Sequence, residues 1–423
     1  MESCRITSVR GWWVLDSRGY PTVRCEIAAG GSTAIATAPS GASTGTFEAV
    51  ELRDGGKAFG GKGVNKAVSN INVKIAAAIK RKDATDQNAI DEAIIKADGT
   101  TAKSHFGANA TIAVSMACFK LGAALQGKEV FSRLGGKTLP VPFCNVINGG
   151  KHASNGLPFQ EYMLVPLAFN SFPAAVQAVS ETYHVLKDCI KEKYGGAFTS
   201  VGDEGGFTPP CKRVEEPLEI MEEAIAAAGY SGRVKMAVDV AASSFFDKGK
   251  YVIYGKRLTA RALASVYEKM VETFDIVSIE DAFAEDDWQG FSRLTHNIGS
   301  RVQVVGDDLL VTNPKRISKA VMLNACNAAL IKPNQIGTVT ETLEAMAAAQ
   351  RGGMRRMVSH RSGETEDYFI SDLACGTNCG QIKLGAPCRG ERTAKYNRLL
   401  EINAALGKRG HYDRNVLERW VVV

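Results

Sequence analysis

From about residue 140 onward, short apolar runs rich in β-branched residues recur, and they end on polar or charged residues. VKMAVD ends at Asp239, DIVSIE at Glu280, VQVVGD at Asp307, AALIK at Lys332 and MVSH at His360. Two further runs end at Asn148 and Glu204, and Tyr162-Met-Leu-Val-Pro166 brings the count to eight. Each interval between Asp239 and His360 has room for one amphipathic helix. Thr338-Val-Thr-Glu341 has the capping-box pattern, and Asn313-Pro314 reads as a cap followed by the first helical residue. Strands alternating with helices in this way imply a parallel sheet. Eight of them imply an α/β barrel of TIM-like architecture, whose reactive groups sit where strands end. Acids after strands also cap the helices that follow. Five polar strand ends in succession weaken that plainer reading, because closure of the barrel would bring all five to one mouth.

The first part of the chain follows a different grammar. It has a strand-like run, Pro21-TVRCEIAA, then the turn-rich Ala38-Pro-Ser-Gly-Ala-Ser-Thr-Gly45 and helical patterns around Asn65–Lys80 and Ala108–Leu125. The small residues and glycines of the second segment predict a mobile loop. The expected division is an α+β domain over 1–135 and the barrel over 136–423.

Composition narrows the partners. The chain is 45% hydrophobic and 23% charged, with a net charge of +6. No apolar run reaches the roughly 18 residues of a membrane span, and MESCRITSVRGWW has no signal-peptide core, so a cytoplasmic protein without a membrane partner is expected. Basic residues cluster once, between Arg351 and Arg361, without the long stripe and interleaved aromatics of a nucleic-acid binder. A small anionic substrate accounts for the bias as well as solvated surface charge does. The ten cysteines lack zinc-ligand spacing. Cys375 and Cys379 suit one helix face, and reduced, mostly buried thiols are expected.

Asp239, Glu280 and Asp307 are three hard oxygen ligands, a set that favours Mg²⁺ over zinc. Without a cation they would repel one another. Near a metal and away from water, Lys332 would lose proton affinity and serve as a general base, or it would be a counter-ion for the carboxylates. Glu204, in Val201-Gly-Asp-Glu-Gly-Gly206, would sit near Glu161. There, like charge raises its pKa and a metal lowers it; if the first prevails it stays protonated and acts as an acid. Metal, amine and carboxylic acid together suit a β-elimination, in which a proton next to a carboxylate is removed, an enediolate forms, and a departing oxygen is protonated.

Nine motifs carry a closer comparison. They are DSRG at Asp16–Gly19, PSGASTG at Pro39–Gly45, NVINGGKHA at Asn145–Ala153, GDEGGF at Gly202–Phe207 and SIED at Ser278–Asp281. GDDLLVTNPKRI at Gly306–Ile317, KPNQIGT at Lys332–Thr338, SHRSGETED at Ser359–Asp367 and QIKLGAPCRGERTAKYN at Gln381–Asn397 complete the series. In this order they resemble the enolase family over essentially the whole chain. Sites of that superfamily are known for a Lys or His base working with one or two Mg²⁺ ions.

The resemblance implies a small N-terminal α+β domain and an eight-stranded barrel of enolase type with an antiparallel second strand. It implies the reversible, Mg²⁺-dependent dehydration of 2-phosphoglycerate to phosphoenolpyruvate, in glycolysis and gluconeogenesis. Lys332 would take the C2 proton and Glu204 would assist departure of the C3 hydroxyl. Asp239, Glu280 and Asp307 would hold a first Mg²⁺, and Ser40 would help to hold a second. Arg361 and Ser362 would bind the phosphate, and Lys383 the carboxylate end. His152, Gln160, Glu161 and His360 would line the pocket. A homodimer or higher homo-oligomer is implied, with no nucleic acid. Glu285, Asp286 and Asp287 are expected to be solvated acids.

Several positions depart from the family pattern. Tyr20 and Arg24 stand where asparagine and glutamate are usual, Trp12 and Trp13 precede the first motif, and these bear on the dimer contact. Ser244, Ala282 and Leu384 replace glutamate, proline and threonine beside the site, which predicts altered rates with retained chemistry. The final Trp420-Val-Val-Val423 lacks the C-terminal lysines through which some surface enolases are thought to engage partners. Two rival readings remain: another metal-dependent reaction of the same superfamily, or a binding protein.

Overall fold

The computed structural model describes residues 4–42 and 45–418. Ser43 and Thr44 of the expected mobile loop, and the tail containing Trp420, lie outside the described residues. Near the N-terminus, strands Ile6–Leu15, Pro21–Ala29 and Ser32–Thr37 form an antiparallel meander. Gly30 and Gly31 join the second strand to the third with both φ values positive, as a tight two-residue hairpin requires. The helix Ala108–Leu125 packs its alanine-rich surface against this sheet. Among the described residues it alone is long and apolar enough to cross a membrane, and most of it is buried within the protein.

The barrel is closed by eight strands: Val141–Asn148, Glu161–Pro166, Val234–Asp239, Ile276–Glu280, Gln303–Gly306, Ala328–Ile331, Arg355–Ser359 and Gly380–Lys383. Neighbours pair in parallel, except that Glu161–Pro166 runs antiparallel to both of its neighbours. This reversal puts the start of that strand, rather than its end, at the mouth. The last strand pairs with the first, Gln381 opposite Val141, and closes the ring. Inside the ring, Gln303 and Gln381 exchange reciprocal amide hydrogen bonds at 2.9 Å, and Gln303 also reaches Ser278 at 3.2 Å.

One expected strand is corrected. The run ending at Glu204 is a turn, and Val201 makes only an isolated bridge to Phe207. The eighth strand is Gly380–Lys383, whose fully buried Gln381 and nearly buried Lys383 hide it from an apolar-run search. The interval from Asp239 to Glu280 carries a small three-stranded sheet besides its helix. Cys379 lies beyond the end of the helix Phe369–Gly376, so it does not share a helix face with Cys375. All ten cysteines are free thiols.

Helix starts match their caps. Asn313 accepts from Lys315 N at 2.9 Å. Thr338 caps its helix, Oγ1 accepting from Glu341 N at 3.2 Å and donating to Glu341 Oε2 at 2.7 Å; the reciprocal half of a capping box is replaced by this side-chain bond. The same helix, Val339–Arg351, forms part of the seam with the small domain. Buried Asp91 accepts from Thr340 N at 2.9 Å and Thr340 Oγ1 at 2.7 Å. A carboxylate at a helix N-terminus meets both orphan N–H groups and the helix dipole. Lys103 pairs with Glu341 at 2.9 Å beside it.

Candidate active site

Strand register builds the mouth. Glu161, Asp239 and Glu280 are paired neighbours on three adjacent strands. Asp307, Lys332 and His360 each lie one residue past a strand end, and Lys383 ends the last strand. All of these side chains except the slightly more exposed Lys332 belong to buried residues. Lys383 Nζ lies 2.9 Å from Asp239 Oδ2, 2.9 Å from Glu280 Oε1 and 3.1 Å from Glu161 Oε2. Lys332 Nζ is hydrogen-bonded to Asp307 Oδ2, and Gln335 Nε2 donates to Asp307 Oδ1 at 2.9 Å.

The turn after Glu280 is set by its neighbour. Asp281 adopts a positive φ of 44°, a conformation that its short polar side chain tolerates. Its two carboxylate oxygens accept from Asp307 N and Asp308 N, each at 2.9 Å. The acid therefore fixes the loop that aims Asp307 into the mouth. The SIED motif contained this residue, but its spacing alone gave it no role.

Electrostatics divides the carboxylates. Burial, with Asp239 beside it, pushes Glu280 well above the carboxylate range, against the pull of Lys383. Burial and Glu204 push Glu161 the same way. Burial would lower the Lys332 ammonium, but Asp307 outweighs it and the net shift is upward. The contact with Asp307 is the reason, and it is the counter-ion arrangement; the lost proton affinity is an expectation for Lys332 beside a metal. For Glu204, where a rise and a fall are both open, the fall prevails. Burial works to raise it, yet His360, His152 and Arg392 hold it well below the usual range. Its Oε2 accepts from Asn145 Nδ2 at 3.0 Å and lies 3.3 Å from His360 Nε2, while His152 Nδ1 is 3.6 Å from Oε1.

The donor set fits Mg²⁺. The atoms converging on one positive group are carboxylate oxygens, and Glu280 Oε2 is buried without a hydrogen-bond partner. Such an orphaned acceptor beside several carboxylates is offset by a cation. Among the described residues, the trios with ligand atoms within 4.8 Å of one another are His152, Glu161 and Glu204, and Asp281, Asp307 and Asp308; the expected set Asp239, Glu280 and Asp307 is not one of them, because Asp307 turns to Lys332 and Gln335. In the second, both Asp281 oxygens already serve backbone N–H groups.

The small domain supplies the opposite wall. Ser40 and Gly363 exchange backbone hydrogen bonds of 2.7 and 2.8 Å, and Ala42 N donates to Ser362 Oγ at 2.7 Å. Ser40 Oγ lies in a network with Arg18, Arg53 and Glu51. The Arg361 guanidinium is buried and grips Glu48 with two bonds of 2.9 and 3.2 Å. Thr46 is tied to Glu285 through its N–H at 2.9 Å, so that acid is a tether between domains and not simply solvated. His152, Gln160, Glu161, Glu204 and Asp239 line one cavity together with Lys332, His360, Arg361, Ser362 and Lys383. Glu280, Asp307 and Ser40 are not among the residues that line it. Sequence reading missed Asn145, Asp281, Gln335, Glu48 and Arg392. Each lay within or near a quoted motif, but only the folded chain brings it to the mouth.

None of the departures from the family pattern falls on a proposed reacting group. Ala282 is buried and its carbonyl accepts from Tyr267 Oη at 2.7 Å. Leu384 is buried, and Ser244 lies in a single 3₁₀ turn. Lys62 Nζ sits 3.6 Å above the Tyr20 ring, and Arg24 donates to Thr37 Oγ1 within its own sheet. Trp13 packs edge-on against Phe59.

Comparison with known proteins gives one consistent result. Residues 136–419 match the family model described as the enolase C-terminal TIM barrel domain, and residues 6–134 match the enolase N-terminal domain. The chain is 52% identical over 410 residues to an enolase of Methanopyrus kandleri, covering 95% of this chain and 96% of that one. It is 52% identical over 408 residues to an enolase of Thermococcus kodakarensis, covering 95% of each chain. With enolase 2 of Hevea brasiliensis it shares 49% over 429 residues, covering 96% of each.

Proposed function

This chain belongs to the enolase family, lyases of the phosphopyruvate hydratase type, and from that premise we propose that its barrel mouth interconverts 2-phosphoglycerate and phosphoenolpyruvate with Lys332 as base and Glu204 as acid. The observation that carries the reading is the single buried cavity lined by Lys332, Glu204, Arg361 and Lys383. It offers a base, an acid and cations for two anionic ends of one small substrate.

In the dehydration direction the C2–H bond breaks and the proton moves to Lys332 Nζ. The electron pair enters an enediolate on the substrate. The C3–O bond then breaks, C2=C3 forms, and the oxygen leaves as water with a proton from Glu204. The described geometry holds Glu204 ionised, the form that takes a proton from water in the reverse direction. Lys332 must shed its proton before each dehydration. Burial favours that form and Asp307 opposes it.

Lys383 and Arg361 fix the two ends of the substrate. Arg361 suits phosphate because its planar fork can donate two parallel hydrogen bonds, with Ser362 adjoining. His152, Gln160, Glu161 and His360 close the remaining walls and limit water. Asp239, Glu280 and Asp307 would hold one Mg²⁺, and Ser40 would contribute to a second. Mg²⁺ bound there would neutralise charge gathering on the substrate carboxylate. We place the domain boundary at residue 135 and propose a cytoplasmic homodimer, which light scattering of the purified protein would check.

The test is turnover. Purified protein is mixed with 2-phosphoglycerate, and phosphoenolpyruvate is followed by its ultraviolet absorbance, with Mg²⁺ and with a chelator. Mg²⁺-dependent product that disappears in Lys332→Ala is expected. A folded, Mg²⁺-supplied protein that yields none would refute the reading and move the binding-protein alternative to first place.

A further inference from the structure

The motif QIKLGAPCRGERTAKYN supplies Lys383 to the mouth, and its second half has no role in the chemistry above. That half starts the helix Gly390–Leu406. It carries Arg389, Arg392 and Lys395 at a spacing of three, which places them along one side. Arg392 and Lys395 are fully buried. A helix N-terminus is an unfavourable place for cations, because the helix dipole is positive there. Burying them adds a further cost unless acceptors surround them.

The acceptors are mostly backbone carbonyls of the loops that hold the reacting groups. Arg389 donates to Gly202 O at 3.2 Å and Ser17 O at 3.1 Å. Lys395 donates to Glu364 Oε2 at 2.8 Å, Glu391 O at 2.7 Å and Thr365 O. Arg392, between them, uses every hydrogen on its two terminal nitrogens. Nη1 reaches Arg361 O at 2.5 Å and His360 Nδ1 at 2.6 Å. Nη2 reaches Ser362 O at 2.5 Å and Asp203 O at 3.0 Å. Its guanidinium thus spans from the residue before Glu204 to three consecutive residues of the phosphate-side loop.

The contact with His360 has a chemical consequence. A guanidinium has donors only, so Nδ1 must present its lone pair. A neutral imidazole then carries its hydrogen on Nε2. That atom is 3.3 Å from Glu204 Oε2 and is otherwise without a hydrogen-bond partner. The proton is therefore directed at Glu204. Burial, with Arg392 adjoining, pushes His360 down to about 4, in keeping with a neutral ring. Gly385 leaves room for the clamp. A Cβ there would lie 2.8 Å from Glu204 O and 3.0 Å from both Arg392 Cδ and His360 Cε1.

We propose that Arg392 is a positioning residue for the acid half of the reaction: it clamps the 202–204 and 360–362 segments together and holds His360 in the Nε2–H tautomer that faces Glu204. The proposal rests on the reading of Glu204 as the group that acts at C3. It makes the second half of the motif a frame for two reacting loops.

Histidine tautomers are read directly from imidazole ¹⁵N shifts. The protein is labelled at histidine, and the His360 signals are assigned by their loss in His360→Gln. A pyridine-type Nδ1 and a pyrrole-type Nε2 are expected, and Arg392→Gln should destroy that pattern. In Arg392→Lys and Arg392→Gln, kcat should fall on the order of 10–100-fold, while KM for 2-phosphoglycerate changes much less. A hydrogen on Nδ1, or an imidazolium, in the wild-type protein overturns the proposal whatever the variants do. Folded variants with wild-type kcat overturn it too. If the variants do not fold, the wild-type tautomer still decides. A wild-type protein with the expected tautomer but no turnover would leave the clamp standing and reject the function assigned to the mouth.

Discussion

At the seam between the small domain and the barrel, Asp91 is buried and spends its oxygens on Thr340 and Gln87. At the barrel mouth, Glu280 is buried as deeply and leaves Oε2 without any hydrogen bond. The contrast is general. Among the described residues, every buried side-chain atom lacking a partner belongs to a residue at or beside the mouth, except Arg18 Nε and Gln87 Oε1. A buried polar atom without a partner costs roughly 1–3 kcal/mol. The seam is arranged for stability. The mouth stores polar groups in reserve for something that binds there.

The largest expected effect separates the two regions by activity. With Glu280 as a Mg²⁺ ligand, as proposed, Glu280→Gln should lower turnover on the order of 10³-fold, since several kcal/mol of charge stabilisation would depend on that metal. Its melting temperature should not fall, because a buried carboxyl with an orphaned oxygen gives way to a neutral amide of nearly the same shape. A clear loss of stability with activity retained would break the comparison. Gly385→Ala should come next. Its backbone φ is +76° and its new methyl meets Glu204 O at 2.8 Å, so turnover should drop by at least about tenfold in a protein that still folds. Turnover equal to wild type would show that the mouth tolerates displacement.

The seam should respond in the opposite sense. Asp91→Ala should cost about 2–4 kcal/mol in urea unfolding and leave the kcat of the folded fraction unchanged. Burial raises the Asp91 carboxyl above 3.8, although its hydrogen bonds pull it down. The folded protein therefore binds more protons than the unfolded chain just above that pH. The contribution is complete below 3.8 and is lost as pH climbs through the raised value. Relative to Asp91→Asn, the wild type should lose stability over that interval, and parallel melting curves from pH 4 to 7 would contradict it. The smallest effect is Thr338→Ala, about 1 kcal/mol from loss of a cap, again with kcat unchanged.

Much of this contrast was visible in the residues. Asp239, Glu280, Asp307, Lys332 and His360 could be placed because strand ends are marked by a change from apolar to polar. Gly380–Lys383 escaped notice because buried Gln381 and Lys383 give it no apolar signature. The reversed strand at Glu161 was equally hidden, since strand direction leaves no trace in a two-residue period. Glu204 lines the mouth, but from a turn and not from the expected strand. The partners of the site were harder still. Asp281, Glu48, Gln335 and Arg392 act through contacts 26 to more than 300 residues away in sequence, and no local spacing encodes such distances.

The strand Gly380–Lys383 closes the ring against Val141–Asn148, and the helix after it pins the loops around Glu204 and His360. A chain is synthesised from its N-terminus. Its ribosome has therefore passed residue 392 before these loops acquire their last clamp. A nascent chain, or one cut before that helix, carries every proposed acid and base without this frame.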